Sequence, residues 1–531
     1  MRHRRIIFWR VTLLTALASL ATGAASNPQD GQVVRGAATI TATSPGRLDI
    51  LQTSDKVVID WREFSIGAAE HTHFQQPDPE AVALNRVTGY QRSEIYGKLS
   101  ANGRLFLINP KGILFGRSAQ VDVAGLVATT SNIGNDGFMS DRLHFTAPAT
   151  TSATVENRGN IDIAEGGLAA LVAPGVTNSG IIQARLGKVL LASGNRFTLD
   201  LYGDRLIEFA VNDQVLDGQG LRIANSGEIY ADGGSVLLTA NTAKGILDQA
   251  INMDGYIQAH TASFDNGEIV LSGGAGGQVR VAGSLDASGR AAGQTGGYIK
   301  VKGAETIISG RAGVDVSGAN GGGFAELSGE QLDLDAGVNL DGGSGPGGVL
   351  TLDPITLTVD PGAASALVDS LNSGDGVVIN VTAAETIHVN AVIDSSAQTS
   401  AASLNFKDED DDNALTINLN ADIKLGANQV LSGEGTAVNV ANTAQIQDGV
   451  DVAASGATVT VAAGTYSENV TLDKQGLTLI GAENALLRLD RNETGFSITA
   501  DDVTLAGMEL VGPFDSHFTL VEWDIHPGRM G

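Results

Sequence analysis

Few places in this 531-residue sequence hold side chains of types and spacings that could do chemistry. Lys407-Asp408-Glu409-Asp410-Asp411-Asp412-Asn413 is the densest acidic run, and oxygen-rich loops of this kind can coordinate Ca²⁺. It lacks a Gly at a fixed turn position and regular ligand spacing, so a solvated corner loop is the expectation. His71 and His73 would share one face of a strand, but two imidazoles without a third ligand nearby do not make a metal site. Gly342-Gly343-Ser344-Gly345-Pro346-Gly347-Gly348 has the glycines of a phosphate cradle, yet no helix follows to present its N-terminus. No Gly-Xaa-Ser-Xaa-Gly elbow and no cysteine occurs. The expected chemistry is therefore binding, with no cofactor, no metal and no catalytic residues.

The elements around these positions are short strands cut by turns. Between Asn85 and Thr130 the chain reads Asn85-Arg86-Val87-Thr88-Gly89, Ser93-Glu94-Ile95-Tyr96-Gly97, and Leu105-Phe106-Leu107-Ile108-Asn109-Pro110-Lys111-Gly112-Ile113-Leu114-Phe115-Gly116. Apolar runs broken by Asn-Pro or lone Gly follow turn chemistry, not helix chemistry. Asn109-Pro110-Lys111-Gly112 fits a type I turn: Asn bonds nearby backbone, Pro presets φ at the second position, and Gly closes the fourth.

In this order, with Val57-Val58-Ile59-Asp60-Trp61-Arg62-Glu63-Phe64-Ser65-Ile66 upstream, the segment resembles the haemagglutination-activity domain of two-partner-secretion exoproteins, the filamentous haemagglutinin family. The resemblance is densest from Gly31 to Ser131. It implies an address: periplasmic domains of a dedicated outer-membrane transporter bind this region, and the chain threads outward through the transporter's barrel. The positions carried over are Asn85 and Arg86 in the first motif and Asn109, Pro110, Gly112 and Ile113 in the second. The family's second motif reads Asn-Pro-Asn-Gly-Ile, and here Lys111 takes the third place. A type I turn accepts most residues there, so the backbone should survive while any direct contact of that Asn is lost. A plainer reading also stands, in which these residues only shape turns.

Composition fits an exported chain. Met1-Arg2-His3-Arg4-Arg5, an apolar run from Val11 to Ala21, and Thr22-Gly23-Ala24-Ala25-Ser26 have the order of a secretory signal peptide, expected to be cut near Ala25. Removing residues 1–25 takes away four arginines and no acid, moving the formal charge from −27 to −31. Such an acidic chain has no basic cluster for nucleic acid or anionic lipid. No later run of 18 apolar residues predicts a membrane span in the mature chain. The absence of cysteine suits a chain that crosses a second membrane unfolded, because no cross-link can form on the way.

A repeat carries the fold class. Asn157-Arg158-Gly159-Asn160-Ile161 returns as Asn178-Ser179-Gly180-Ile181-Ile182 and as Asn225-Ser226-Gly227-Glu228-Ile229. The same turn-then-strand phrase recurs at Gly255, Gly283, Gly313 and Gly337, with partner strands such as Lys188-Val189-Leu190-Leu191-Ala192 between. Uneven spacing of this kind is what a β-solenoid tolerates, because extra residues loop out at corners. Each coil buries one apolar stripe against its neighbours and is unstable alone. At roughly 25 residues per coil and about 4.8 Å per coil, some 450 residues make a rod of about 85 Å. The Gly31–Thr53 segment is expected to cap the first coil, and Phe197–Asp204 to form an extra-helical hairpin.

Ala363–Leu371 reads as a short amphipathic helix within a linker over 356–376, before coils resume. Ala463-Gly464-Thr465-Tyr466-Ser467-Glu468-Asn469-Val470-Thr471-Leu472 resembles the opening coils of pectin-lyase-like proteins, some of which are carbohydrate-active enzymes. The expected fold is all-β, a right-handed parallel β-helix (a pectin-lyase-like β-solenoid) with an N-terminal cap and extra-helical hairpins. The expected domains are a signal peptide (1–25), a secretion domain (26–145), β-helix repeats (146–355), the linker, and further coils (377–531). The final Trp523–Gly531 stretch breaks the strand pattern without a capping element, as in a shortened exoprotein. The expected function is adhesion, by a rod displayed on the cell surface or secreted through the periplasm by its outer-membrane transporter and meeting a host or neighbour-cell receptor. The alternatives are a carbohydrate-active enzyme on the same scaffold or the stalk of a contact-dependent inhibition toxin.

Overall fold

The computed structural model describes residues 27–147, 153–200, 207–209, 222–240, 248–263, 265–409, 414–490, 494–512, 517–519 and 523–525. The signal-peptide segment and Asp410–Asn413 of the acidic run lie outside them. The described chain is a parallel β-helix. Three long sheets run along it, of 15, 9 and 12 strands, and an 8-stranded sheet continues one wall in the C-terminal half.

Stacking is by like residues at like positions. Leu126 lies over Leu105 and Ala169, and Leu191 lies between Leu171 and Leu238. Every second side chain points inward, and Leu105, Leu126, Leu171, Leu191, Leu238 and Leu271 are all 2% exposed or less. Corners absorb the uneven repeat: Lys188 pairs with Ser235, 47 residues further on, without loss of register.

The first coil is closed as expected. Gln32–Arg35 runs antiparallel to Lys56–Trp61, and Ala38–Ser44 runs antiparallel to Arg47–Gln52. Antiparallel strands here satisfy one edge of the first coil and end the stack.

A second layer covers part of the longest sheet. Asn132–Ile133, His144–Ala147, Phe197–Leu199 and Ile207–Phe209 form a four-stranded antiparallel flap, with a short helix, Asn135–Met139, between the first two. Phe138, Phe145 and Phe197 of the flap pack on Val58, Leu84, Phe106, Val127 and Leu190 of the outer sheet face. The Phe145 and Phe197 rings stack at 4.5 Å. Strands beneath the flap are buried on both faces, which is why they read as continuous apolar runs such as Leu105-Phe106-Leu107-Ile108. Beyond the flap, Glu268–Ser272 alternates buried residues with half-buried or exposed ones.

Residues 356–376, where a linker was expected, contain the strand Thr356–Val359, parallel to Thr386–Val389, and the helix Pro361–Leu371. Asp360 Oδ1 accepts from Ala363 N at 3.0 Å, and Pro361 presets the first turn. Leu367 and Leu371 are fully buried. Ser370 Oγ and Ser373 Oγ accept from the Val338 and Leu340 amides, so the helix caps the edge where the 12-stranded sheet stops. The 15-stranded sheet passes this point unbroken, from Phe324–Gly329 through Val349–Pro354 to Val377–Ala383. The solenoid is therefore continuous here.

At the other end, Trp523–Ile525, where the strand pattern was expected to break, lies antiparallel on Val503–Ala506, as His517–Thr519 does on Glu509–Val511; residues 526–531 of that stretch lie outside the described residues. Short polar-apolar triplets pair readily with an open edge, which the sequence pattern alone did not reveal.

A buried carboxyl sits in the same half. Asp448, on the helix Ile446–Asp451, is 6% exposed and accepts from Ile423 N at 3.0 Å. Burial, reinforced by Asp451, Asp422 and Glu468, pushes its carboxyl up to about 7. Because the folded value exceeds the unfolded one, its contribution is most favourable below pH 4 and is lost as pH rises through 7. Asp448→Asn keeps an acceptor for Ile423 and should raise the melting temperature at pH 8, by about 2–4 kcal/mol of stability, with little change at pH 4. Thermal melts of both chains at the two pH values test this.

Candidate transporter-recognition site

The residues of the two sequence motifs are mostly buried in the solenoid. Asn85 lies on the strand Val82–Val87, pointing into the solenoid, 1% exposed. Its Oδ1 accepts from Trp61 Nε1 at 3.0 Å, and its Nδ2 donates to Ala83 O at 3.2 Å and Phe106 O at 3.4 Å. It thus satisfies the one polar atom of a buried tryptophan in the first coil.

Arg86 points to the opposite face, beneath the flap. Its Nε donates to Asn132 Oδ1 at 2.9 Å, and its Nη2 donates to Ile133 O at 2.9 Å and Asn135 Oδ1 at 2.8 Å. Its Nη1 pairs with Asp60 at 3.3 Å. A single planar fork therefore fastens the flap's first strand to the solenoid.

Asn109 is fully buried. Its Oδ1 accepts from Lys111 N at 2.9 Å, while its Nδ2 donates to Gln91 O and to Ser93 Oγ, each at 3.0 Å. Gly112 N donates to Asn109 O at 3.0 Å, closing the expected turn. Gly112 holds φ at +105°, and a Cβ there would lie 3.0 Å from Thr154 O of the next coil. Ile113 is 1% exposed, in the core. Of this motif only half-buried Pro110 and exposed Lys111 reach solvent. Lys111 stands where the family has its second Asn.

Asn109 thus joins two neighbouring coils. Through Gln91 it fixes the Thr88–Arg92 loop, in which Tyr90 is 88% exposed. The loop was not singled out from sequence, and the Gly89-Tyr90-Gln91 phrase carries no motif that could have marked it. A buried amide stack was also missed: Asn157 Nδ2 donates to Asn178 Oδ1 at 2.8 Å, and Asn178 Nδ2 to Asn225 Oδ1 at 2.7 Å. The recurring Asn-Xaa-Gly phrase was its visible signal.

The remaining candidates are committed to structure. His71 Nε2 and His73 Nδ1 lie 2.7 and 2.9 Å from Ser100 Oγ, and Arg47 approaches His71 Nδ1 at 3.2 Å. Burial, then the charges of Arg47 and Lys98, lower the His71 value. Among the described residues no group of three His, Cys, Asp or Glu could hold a metal ion. Within the pectin-lyase-like phrase, Glu468 accepts from Ile446 N and Gln447 N at 2.8 and 2.9 Å, capping a helix. No helix among the described residues is long and apolar enough to cross a membrane.

Comparison with known proteins agrees with the N-terminal coils. The sequence profile of the TPS secretion domain matches residues 24–287, well past residue 145. The Heme/hemopexin-binding protein of Haemophilus influenzae is 34% identical over 266 residues, covering 46% of this chain and 28% of that protein. Its counterpart from strain KW20 is 33% identical over 271 residues, covering 49% and 29%. The chain thus spans under a third of the length of these relatives. The crystal structure of the HMW1 secretion domain from Haemophilus influenzae matches with a TM-score of 0.48 at 21% identity, covering 78% of this chain and 100% of that one. Through its secretion domain at residues 24–287, the chain belongs to the two-partner-secretion exoproteins, which pass through the periplasm and across the outer membrane to the surface or the medium.

Proposed function

We propose that the chain is an adhesin rod, exported through its partner outer-membrane transporter and presenting the flank of its solenoid to a receptor on a host or neighbouring cell. The observation that carries this reading is the unbroken 15-stranded sheet, which joins the secretion domain to the coils beyond residue 287. Its outer face beyond the flap is a ladder of half-buried polar side chains, including Lys300 paired with Glu326 at 2.8 Å and Asn405 bonded to Asn380 at 3.1 Å. A long, regular flank of this kind suits recognition, with specificity set by exposed side chains and corner loops. The mechanism is recognition and vectorial folding, with no bond-making step. Each coil emerging outside templates on the one before, so folding opposes backsliding.

A second reading comes from the relatives, which are named for binding heme and hemopexin. The similarity covers 46% of this chain, so that ligand would be met by coils outside the shared region or by loops of the secretion domain. Two measurements separate these readings. Expressed with its transporter, the chain should appear in the medium or on the cell surface, and without it should stay in the periplasm. The exported chain should then retain cells on a coated surface. Release without the transporter sinks the export step; export without cell retention, but with hemopexin capture, favours the second reading.

A further inference from the structure

The N-terminal cap is joined to the coils by a chain of side-chain hydrogen bonds that runs in one direction. Arg47 and Asp49 lie on the cap strand Arg47–Gln52, which pairs in register with His71–Gln75, so Arg47 stands beside His71 and Asp49 beside His73. Lys98 and Ser100 take the same places on the next strand, Lys98–Ala101, and Gln120 and Asp122 on the one after. A guanidinium has only donors, so Arg47 Nη1 donates to His71 Nδ1 at 3.2 Å. His71 is therefore neutral with its proton on Nε2, which donates to Ser100 Oγ at 2.7 Å. Ser100, 8% exposed, donates its single proton to His73 Nδ1 at 2.9 Å. The first link of Arg47–His71–Ser100–His73 needs a neutral His71.

Proton uptake by His71 places an N–H on Nδ1 against the guanidinium, two donors and two positive charges 3.2 Å apart. Lys98, the register partner of His71, adds a third positive charge. The nearby carboxylates offset little of this. Asp49 is already bonded to Arg47 Nε at 2.9 Å and to Thr43, and Glu70 Oε2 accepts from Gly67 N at 2.7 Å. Asp122 lies one coil further, beside Ser100. Burial first, then Arg47, Lys98 and His73, lower the His71 value, and Asp49 alone opposes them. The open hairpin thus takes up the proton more readily than the closed one. The contribution of this site is complete above about pH 6.5 and is lost as pH falls below it.

We propose that these four side chains form an acid-sensitive latch on the cap: on acidification His71 takes a proton, Arg47 swings away, and the turn end of the cap hairpin, residues 42–47, lifts from the first coil. The His71 amide, bonded to Gly46 O at 2.8 Å, is released with it. Leu48 and Ile50 are buried in the solenoid core, so the change stays local and the coils beyond remain folded. The latch belongs to the folded chain and depends neither on the export route nor on the receptor.

The test is hydrogen exchange of the purified full chain near pH 7.5 and near pH 5, read as protection factors so that the intrinsic pH dependence of exchange cancels. Wild-type protection over 42–47 and at the His71 amide should fall by up to about tenfold per pH unit below about pH 6.5, while Tyr298–Lys302 keeps its own. His71→Gln offers Arg47 an acceptor oxygen and Ser100 an amide donor without a titrating ring, and should keep its protection at both pH values. His73→Gln leaves the junction of Arg47 with His71 in place and should keep the acid response. Arg47→Met removes the opposing charge and should lose most of that response, whatever its protection near pH 7.5. Equal wild-type protection at the two pH values overturns the proposal. So does an acid loss undiminished in both His71→Gln and Arg47→Met, or one shared by Tyr298–Lys302.

Discussion

Asn109→Asp is expected to destabilise the N-terminal coils by about 3 kcal/mol at pH 8 and by clearly less near pH 5. The native amide uses both its functions: Oδ1 accepts from Lys111 N, and Nδ2 donates to Gln91 O and Ser93 Oγ. A carboxylate keeps the first bond and turns the second into an oxygen facing the Gln91 carbonyl. The site is fully buried, so water cannot screen that contact. Protonation restores a donor, so the introduced carboxyl has a raised folded-state value, and its penalty grows as pH climbs through it. Asn109→Ala removes the donors without placing a charge and should be milder at pH 8 and indifferent to pH. Melting curves of the three chains between pH 5 and 8 read this directly. Equal loss for Asp and Ala at both pH values would mean that the amide's geometry, not its charge state, is what matters.

Arg86→Ala should release the flap while leaving the solenoid folded, at a cost of about 3 kcal/mol to the flap's docking. The guanidinium is shared among Asn132, Ile133 O, Asn135 and Asp60, and its side chain is 14% exposed. Its removal strands the Asp60 carboxylate and the Ile133 carbonyl together under the flap. Lysine does not replace it, since one ammonium cannot span the same partners in a plane. Hydrogen exchange over 132–147, 197–199 and 207–209 should speed up in both variants, while strands such as Tyr298–Lys302 keep their protection. Uniform acceleration along the whole chain would show that the flap and the coils unfold together. The apolar contacts of Phe138, Phe145 and Phe197 remain in the variant, so the flap should loosen without unfolding the sheet beneath it.

The amino-acid sequence by itself determined the coil. Period-two alternation, Gly-marked corners and uneven repeat lengths exclude long helices and leave a stack of short strands as the way to bury one apolar stripe per turn. The cap, the hairpin begun at Phe197 and the helix at Ala363–Leu371 were legible for the same reason: each depends on local pattern. Strands such as Leu105–Ile108 are covered on their outer face as well. What covers them was not legible. Alternation says that Asn85 and Arg86 face opposite ways, but not that one meets Trp61 inside and the other a flap 46 or more residues later. Nor does it say that Gln91 and Lys111 share the amide of Asn109, because that depends on how two coils of different length come into register. Only the tertiary structure decided that the motif residues are fasteners and that an unmarked tyrosine stands outside. Local chemistry sets which turns and strands form, whereas the partner of a buried polar group is chosen by the stacking of coils distant in sequence.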